Sequence, residues 1–161
     1  VDVTQVYEEI AADEGKVLHK YLCSESHPTI GIGHKVLNTD AEANLPIHGV
    51  YDDVPEEECI TEERCYELFQ NDIQLAIDGC KSLYHNWEEI PQEMRHILVN
   101  MCFQLGRTGL SRFKNMNAGV AQEAWGVVSL EMMDSRWAQQ TPERATRLRD
   151  RVLVMMDDLE G

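Results

Sequence analysis

The hydrophobic period of this chain changes near position 60, and that change limits the fold more than any other feature. Before it, extended patterns are confined to the first third: Val17–Leu22, and Pro28–Ile32 after the polar turn Ser24-Glu25-Ser26-His27. After it, apolar residues recur at helical spacing to the end of the chain. Strand confined to one end and helix everywhere else predicts an α+β fold, with a small hairpin-bearing lobe and a larger helical lobe.

The helical segments have readable ends. Val3, Val6, Tyr7 and Ile10 predict an amphipathic helix over 3–13, with Gly15 as its stop and Glu14 at its C-terminus. The helix dipole disfavours a carboxylate there, and Glu14 taken alone reads as an exposed end-of-helix acid. Thr61 is placed to cap a second helix, with Glu62 and Glu63 in its first turn. Cys65, Leu68, Phe69, Ile73, Ala76, Ile77 and Cys80 keep one face of that helix apolar, until Gly79 weakens its end. A helix of this length can join two lobes. Pro91 suits a first helical position, and Gly106 closes the segment it opens. Ile97, Leu98, Met101, Cys102 and Leu105 are apolar on more than one side of that segment, as a central core helix is. Thr141-Pro142-Glu143 predicts the start of the last helix, with Thr as cap and Pro at the first position. The whole is a single domain of 161 residues. The hairpin lobe covers about 14–60, a connecting helix about 61–80, and a helical lobe about 81–161 together with 3–13.

The stretch 38–58 stands apart. It is acidic, contains Pro46, Gly49 and Pro55, and reads as an irregular insertion or mobile loop exposed to solvent. It lacks the spacing of a calcium-binding helix-loop-helix. The net charge of −15 argues against nucleic acid as a partner, which needs a basic face. No apolar run is long enough for membrane insertion, and the first residues do not form a secretory leader. Of the five cysteines, Cys65, Cys80 and Cys102 lie on apolar helix faces and read as small core residues. Cys23 lies in the polar turn.

The chemistry therefore gathers around the hairpin. Glu14, Cys23 and Thr29 bring a proton donor, a thiol and a hydroxyl to its base and strands. Three readings compete. Glu14 acts as general acid while Cys23 and Thr29 handle water, the logic of an inverting glycosidase with a thiol in place of the second carboxylate. Alternatively, Cys23 is a nucleophile activated by His19, His27 or His34. In the third reading His19, Cys23 and His27 bind a metal, which their spacing would suit on a helix better than on a hairpin. Residue types alone do not separate these from a structural hairpin, in which Gly31 and Gly33 mark a bulge or corner and His34 is a hydrogen-bonding support.

Longer motifs add a resemblance. Glu14, Cys23 and Thr29 have the spacing of Glu, eight residues, Asp or Cys, five residues, Thr. Around them stand PTIGIGH at 28–34, NMCFQLGRTGLSRF at 100–113 and SRWAQQTPERA at 135–145. In these the chain resembles the phage-type lysozymes of glycoside hydrolase family twenty-four. The resemblance implies a lysozyme-like fold with substrate in a cleft between lobes. It also implies cleavage of the β-1,4 bond between N-acetylmuramic acid and N-acetylglucosamine in bacterial peptidoglycan, without metal or other cofactor. It makes Glu14 the acid, Cys23 the second catalytic group and Thr29 the residue that places water. Gly33, Phe103 and Gln104 match substrate-binding positions. Arg144 matches an arginine that pairs with the catalytic glutamate, Asp13 shares that arginine, and His34 supports the site. Trp137 matches a core tryptophan. The implied protein is a phage-encoded monomer, or one domain of a larger virion tail protein. It would be made in the host cytoplasm and act on the periplasmic wall, or be carried in the virion. A wall-binding or tail-structural module of the same fold is the alternative, and a cysteine-dependent amidase the third possibility.

Overall fold

The computed structural model describes residues 1–161. In chain order it contains α1 (Val3–Glu14), β1 (Val17–Leu22), β2 (Pro28–Gly31), β3 (His34–Lys35), α2 (Glu62–Leu83), α3 (Gln92–Ser111), α4 (Lys114–Ala121), α5 (Trp125–Met133), α6 (Arg136–Gln140) and α7 (Pro142–Glu160), with single 3-10 turns at Glu56–Glu58 and Trp87–Glu89. The fold is α+β and lysozyme-like, as the sequence predicts. The chain divides into two compact units, Tyr7–Gln74, and Val1–Val6 with Leu75–Gly161. The boundary falls inside α1 and α2, so only the first turn of α1 groups with the helical unit, where the sequence placed all of 3–13.

The smaller unit is built on an antiparallel sheet of order β1-β2-β3. Gly31 and Gly33 both have positive φ, 69° and 67°, and bend the chain sharply around Ile32. That bend returns the backbone as β3, a strand too short to leave a periodic signal. A Cβ on Gly31 would lie 3.2 Å from Cys65 Sγ, so the strand approaches α2 closely. Ile30, Ile60, Cys65 and Leu68 form the apolar core of this unit, with Leu18, Ile32, Val36 and Leu45 packed around it. Tyr7 of α1 stacks on Tyr66 at 5.6 Å and meets Phe69 edge-on at 5.0 Å.

The acidic stretch is irregular, but it is anchored rather than a loose solvated loop. Glu42 is buried and gripped in a fork by Arg64, Nε to Oε2 at 3.1 Å and Nη2 to Oε1 at 2.9 Å. This bidentate arginine pulls the carboxyl below its usual range, against burial. Buried Lys20 donates Nζ to the carbonyls of Glu42 at 3.2 Å and Ala43 at 2.8 Å. The outer edge of β1 is used as well: His48 N–H donates to the Lys20 carbonyl and Ile60 N–H to the Leu18 carbonyl, both at 2.8 Å. Backbone and charge thus fix a segment that has little apolar content of its own. Its tip reaches solvent, where Tyr51 is fully exposed.

The helical unit holds the larger core. Met94, Ile97, Leu98, Met101, Leu110, Met116, Met132 and Leu148 are fully buried, supplied by α3, α4, α5 and α7. Gly106 interrupts α3 at φ 76° and ψ 164°, ending its first stretch where the sequence predicted. Pro91 lies one residue before the helix, at the cap, rather than inside its first turn. Gly79 does not end α2, which continues to Leu83. A Cβ there would sit 3.0 Å from Cys102 Sγ, so the glycine admits a close neighbour instead. The Cys80 and Cys102 thiols are buried and hydrogen-bonded to each other.

Candidate active site

Glu14 is the last residue of α1, and Gly15 ends the helix with positive φ, its N–H bonded to the Ala11 carbonyl at 2.9 Å. Without this glycine the chain could not turn directly from the helix into β1. The Glu14 carboxylate is half-buried and lies over Gly33: a Cβ at position 33 would be 2.7 Å from Glu14 Oε2. Gly33 thus makes room for the acid, and any larger residue would displace it.

The hairpin presents the other two groups. Its turn closes through Ser26 N–H to the Cys23 carbonyl at 2.8 Å and Cys23 N–H to the His27 carbonyl at 3.0 Å. Cys23 is half-buried and Thr29 fully so. The Thr29 hydroxyl donates to the His27 carbonyl at 2.9 Å and is also within hydrogen-bond reach of the Cys23 sulfur. A hydroxyl carries a single proton, so it can serve the carbonyl while the sulfur is a thiol and swing to the sulfur when it is a thiolate. Burial pushes the Cys23 thiol up. The N–H groups of Glu25 and His27, the Thr29 hydroxyl and the Lys35 cation together outweigh it and hold the thiol below its ordinary range. Tyr21 is electrostatically coupled to both Glu14 and Cys23, and its phenol is raised, first by burial and then by these two groups.

His34 faces the other way. Its Nδ1 lies 2.7 Å from Asp72 Oδ2 on α2 and its Nε2 2.8 Å from Asp40 Oδ2 in the acidic stretch. Burial alone would lower the imidazole, but the two carboxylates outweigh it and push it up to about 9. His34 is therefore a doubly paired cation that ties β3 to α2 and to the acidic stretch. His19 gives its Nε2 to the Gly49 carbonyl at 2.7 Å. Neither histidine is posed as a base for Cys23, and no three His, Cys, Asp or Glu side chains are gathered as a metal site.

Other residues singled out in the sequence, Asp13 excepted, lie in the helical unit. Gln104 accepts from Trp137 Nε1 at 2.8 Å, and Phe103 is its neighbour on α3. Leu105, Phe113, Trp137 and Gln140 line a groove of about 500 Å³ beside them. Arg144 opens α7 and is oriented by buried Asn100, Nε to Oδ1 at 2.9 Å and Nη2 to the carbonyl at 3.5 Å. Asp13 lies one residue before Glu14 on α1. A larger concavity of about 680 Å³, lined by Glu93, Pro142, Arg151 and Val154, brings together none of the expected site residues. Tyr21 and Lys35 were not visible as site residues in the sequence, because nothing local ties either to Cys23.

An acid at a helix end beside a three-stranded sheet, with a helical unit following, is the arrangement of a lysozyme-like α+β protein. The profile of the phage lysozyme family matches residues 11–151, so the chain belongs to that family. It is 28% identical over 159 residues to probable T4-type lysozyme 2 of Dictyostelium discoideum, covering 91% of this chain and 92% of the relative. Probable T4-type lysozyme 1 of the same organism is 29% identical over 160 residues, with the same coverage. The pre-baseplate central spike protein Gp5 of Enterobacteria phage T4 is 29% identical over 163 residues, which span 96% of this chain and 28% of that protein. Membership of this family supports a muramidase-type function.

Proposed function

We propose that this protein is a muramidase that hydrolyses the β-1,4 bond between N-acetylmuramic acid and N-acetylglucosamine of bacterial peptidoglycan. Glu14 gives its proton to the leaving glycosidic oxygen. Cys23, as thiolate, takes a proton from the water that attacks the anomeric carbon, and Thr29 positions that water. The observation that carries this reading is the pairing of the Cys23 sulfur with the Thr29 hydroxyl, in surroundings that favour the thiolate. A thiol at its ordinary value would be a poor base near neutrality. Gly33, against the Glu14 carboxylate, and the aromatic groove beside Phe103 and Gln104 support the substrate-binding roles assigned to those residues. Arg144, oriented by Asn100, and Asp13 keep the supporting roles that the resemblance implies for them. The protein needs no cofactor and acts as a phage-encoded monomer on the cell wall.

The test is release of reducing ends from purified peptidoglycan by the native chain, Glu14→Gln and Cys23→Ser. The expected result is activity in the native chain and a fall of about 10²- to 10⁴-fold in Glu14→Gln, the range for a lost general acid. Cys23→Ser falls as well, because a serine hydroxyl is a far weaker base. The kinship with a tail spike protein, of which the aligned part is about a quarter, favours one second reading: a wall-binding module of a larger virion assembly. A folded native chain that binds peptidoglycan and releases no reducing ends establishes that reading instead. Release of free amino groups points to an amidase.

A further inference from the structure

The sheet register places Lys35 beside the reacting groups. Thr29 is paired directly with Tyr21 of β1 on one side and with Lys35 of β3 on the other. Directly paired residues in an antiparallel sheet project to the same face, with Cβ atoms roughly 4.5–5.5 Å apart. Tyr21, Thr29 and Lys35 therefore form one row across one face. Cys23 lies two residues beyond Tyr21, at the same parity of the strand, and its sulfur meets the Thr29 hydroxyl on that face. The alternate residues Ile30 and His34 are paired with each other and buried on the opposite side.

We propose that Lys35 is a positioning residue of the site: from β3 its ammonium acts across Thr29 on the Cys23 sulfur and keeps it in the thiolate form that activates water. This rests on the muramidase reading above. Lys35 is exposed, so its long side chain is free to follow the sulfur and the substrate rather than being locked in a core. The other groups around the sulfur divide by element. Tyr21 on β1 and, beyond it, Glu14 on α1 add negative charge when ionised. In the turn, Glu25 and His27 contribute their backbone N–H groups. Thr29 on β2 contributes its hydroxyl. Lys35 is the full positive charge that acts on the sulfur, and its field favours the thiolate before substrate arrives.

In the step it supports, water loses a proton to the Cys23 sulfur as its oxygen bonds to the anomeric carbon. The glycosidic C–O bond breaks with its electron pair going to the leaving oxygen, which takes the Glu14 proton. The thiol then returns its proton through solvent to the Glu14 carboxylate, and both groups are restored.

The experiment measures the Cys23 thiol directly. Native chain, Lys35→Met and Lys35→Arg are alkylated with iodoacetamide across a pH series, and the peptide bearing Cys23 is followed by mass spectrometry, with half-buried Cys59 as the internal reference. Alkylation of Cys23 at neutral pH is expected to fall several-fold in Lys35→Met, to recover in Lys35→Arg, and to converge among all three at high pH, while Cys59 is unchanged. The acid limb of the kcat/KM profile for reducing-end release is expected to move to higher pH in Lys35→Met alone. An unchanged Cys23 alkylation profile in folded Lys35→Met overturns the inference, whatever happens to activity. If that variant raises KM alone, Lys35 is a substrate contact instead. A native chain that releases no reducing ends removes the proposed function, whereas a shifted alkylation profile in that same chain still supports the electrostatic role of Lys35.

Discussion

The two units of this protein keep their structure by different physical means. In the helical unit the interior is mostly side-chain carbon and sulfur, with Ile97, Leu98, Met101 and Leu148 wholly removed from water and His96, Asn100 and Ser129 as its buried polar side chains. In the smaller unit Ile10, Ile30, Ile60, Cys65, Leu68, Phe69 and Ile73 are buried, but so are the charged or ionisable side chains of Lys20, His34 and Glu42. These charges have partners: His34 with Asp40 and Asp72, Glu42 with Arg64, and Lys20 with two carbonyls. A short sheet and an acidic stretch have too little apolar surface to close on themselves, so charge pairing at low solvent exposure completes the unit. The unit that bears Glu14, Cys23 and Thr29 is thus the one whose integrity depends on ionisation.

The largest effect should come from the helical unit and should not depend on pH. Ile97→Ala leaves a cavity where no solvent reaches, with an expected loss of about 2–5 kcal/mol. Urea unfolding at pH 6 and at pH 10 should return the same loss. A strong pH dependence there would break the contrast between the units.

The smaller unit should behave in the opposite way. The His34 imidazole is held at about 9, above its ordinary value near 6.5, so its pairing contributes fully below about 6.5 and is lost as pH rises through about 9. The shift corresponds to an upper bound of about 3.5 kcal/mol, at about 1.4 kcal/mol for each unit of pKa. The stability gap between the native chain and His34→Ala should therefore narrow between pH 6 and pH 10, as read by chemical denaturation at each pH. A constant gap would mean that the ring packs but does not act as a cation.

The smallest effect sharpens the point that only low-exposure pairs count. Lys16 and Glu62 meet at 2.7 Å in solvent, with 48% and 67% of their side chains exposed. Lys16→Ala should leave Tm unchanged within error, because an exposed pair gains little and is screened by salt. A clear drop in Tm would show that surface pairing also holds the smaller unit.

Periodic and terminal signals were legible in the sequence because they are local. The apolar spacing of α1, α2 and α7, the hydroxyl of Thr61 accepting from Arg64 N–H at 3.0 Å, and the break at Gly106 each depend on residues within a turn or two. The proposed acid, thiol and hydroxyl stood out for a different reason. Their order and spacing follow a family pattern, and chemistry restricts which residue types can serve there.

Tertiary structure decided everything that joins residues far apart in the chain. It did not decide Thr141, whose hydroxyl turns back to the Trp137 carbonyl one turn away at 3.0 Å rather than capping α7 as its place before Pro142 predicted. It made β3 from two residues, fixed the acidic stretch through Lys20 and Arg64, each 22 positions from Glu42, paired His34 with Asp72 38 positions away, and set Gly33 against Glu14. It also put Lys35 in line with Thr29. A side chain's period fixes which face of its own element it occupies. Which charge meets that face depends on the register and packing of elements brought together by the whole fold.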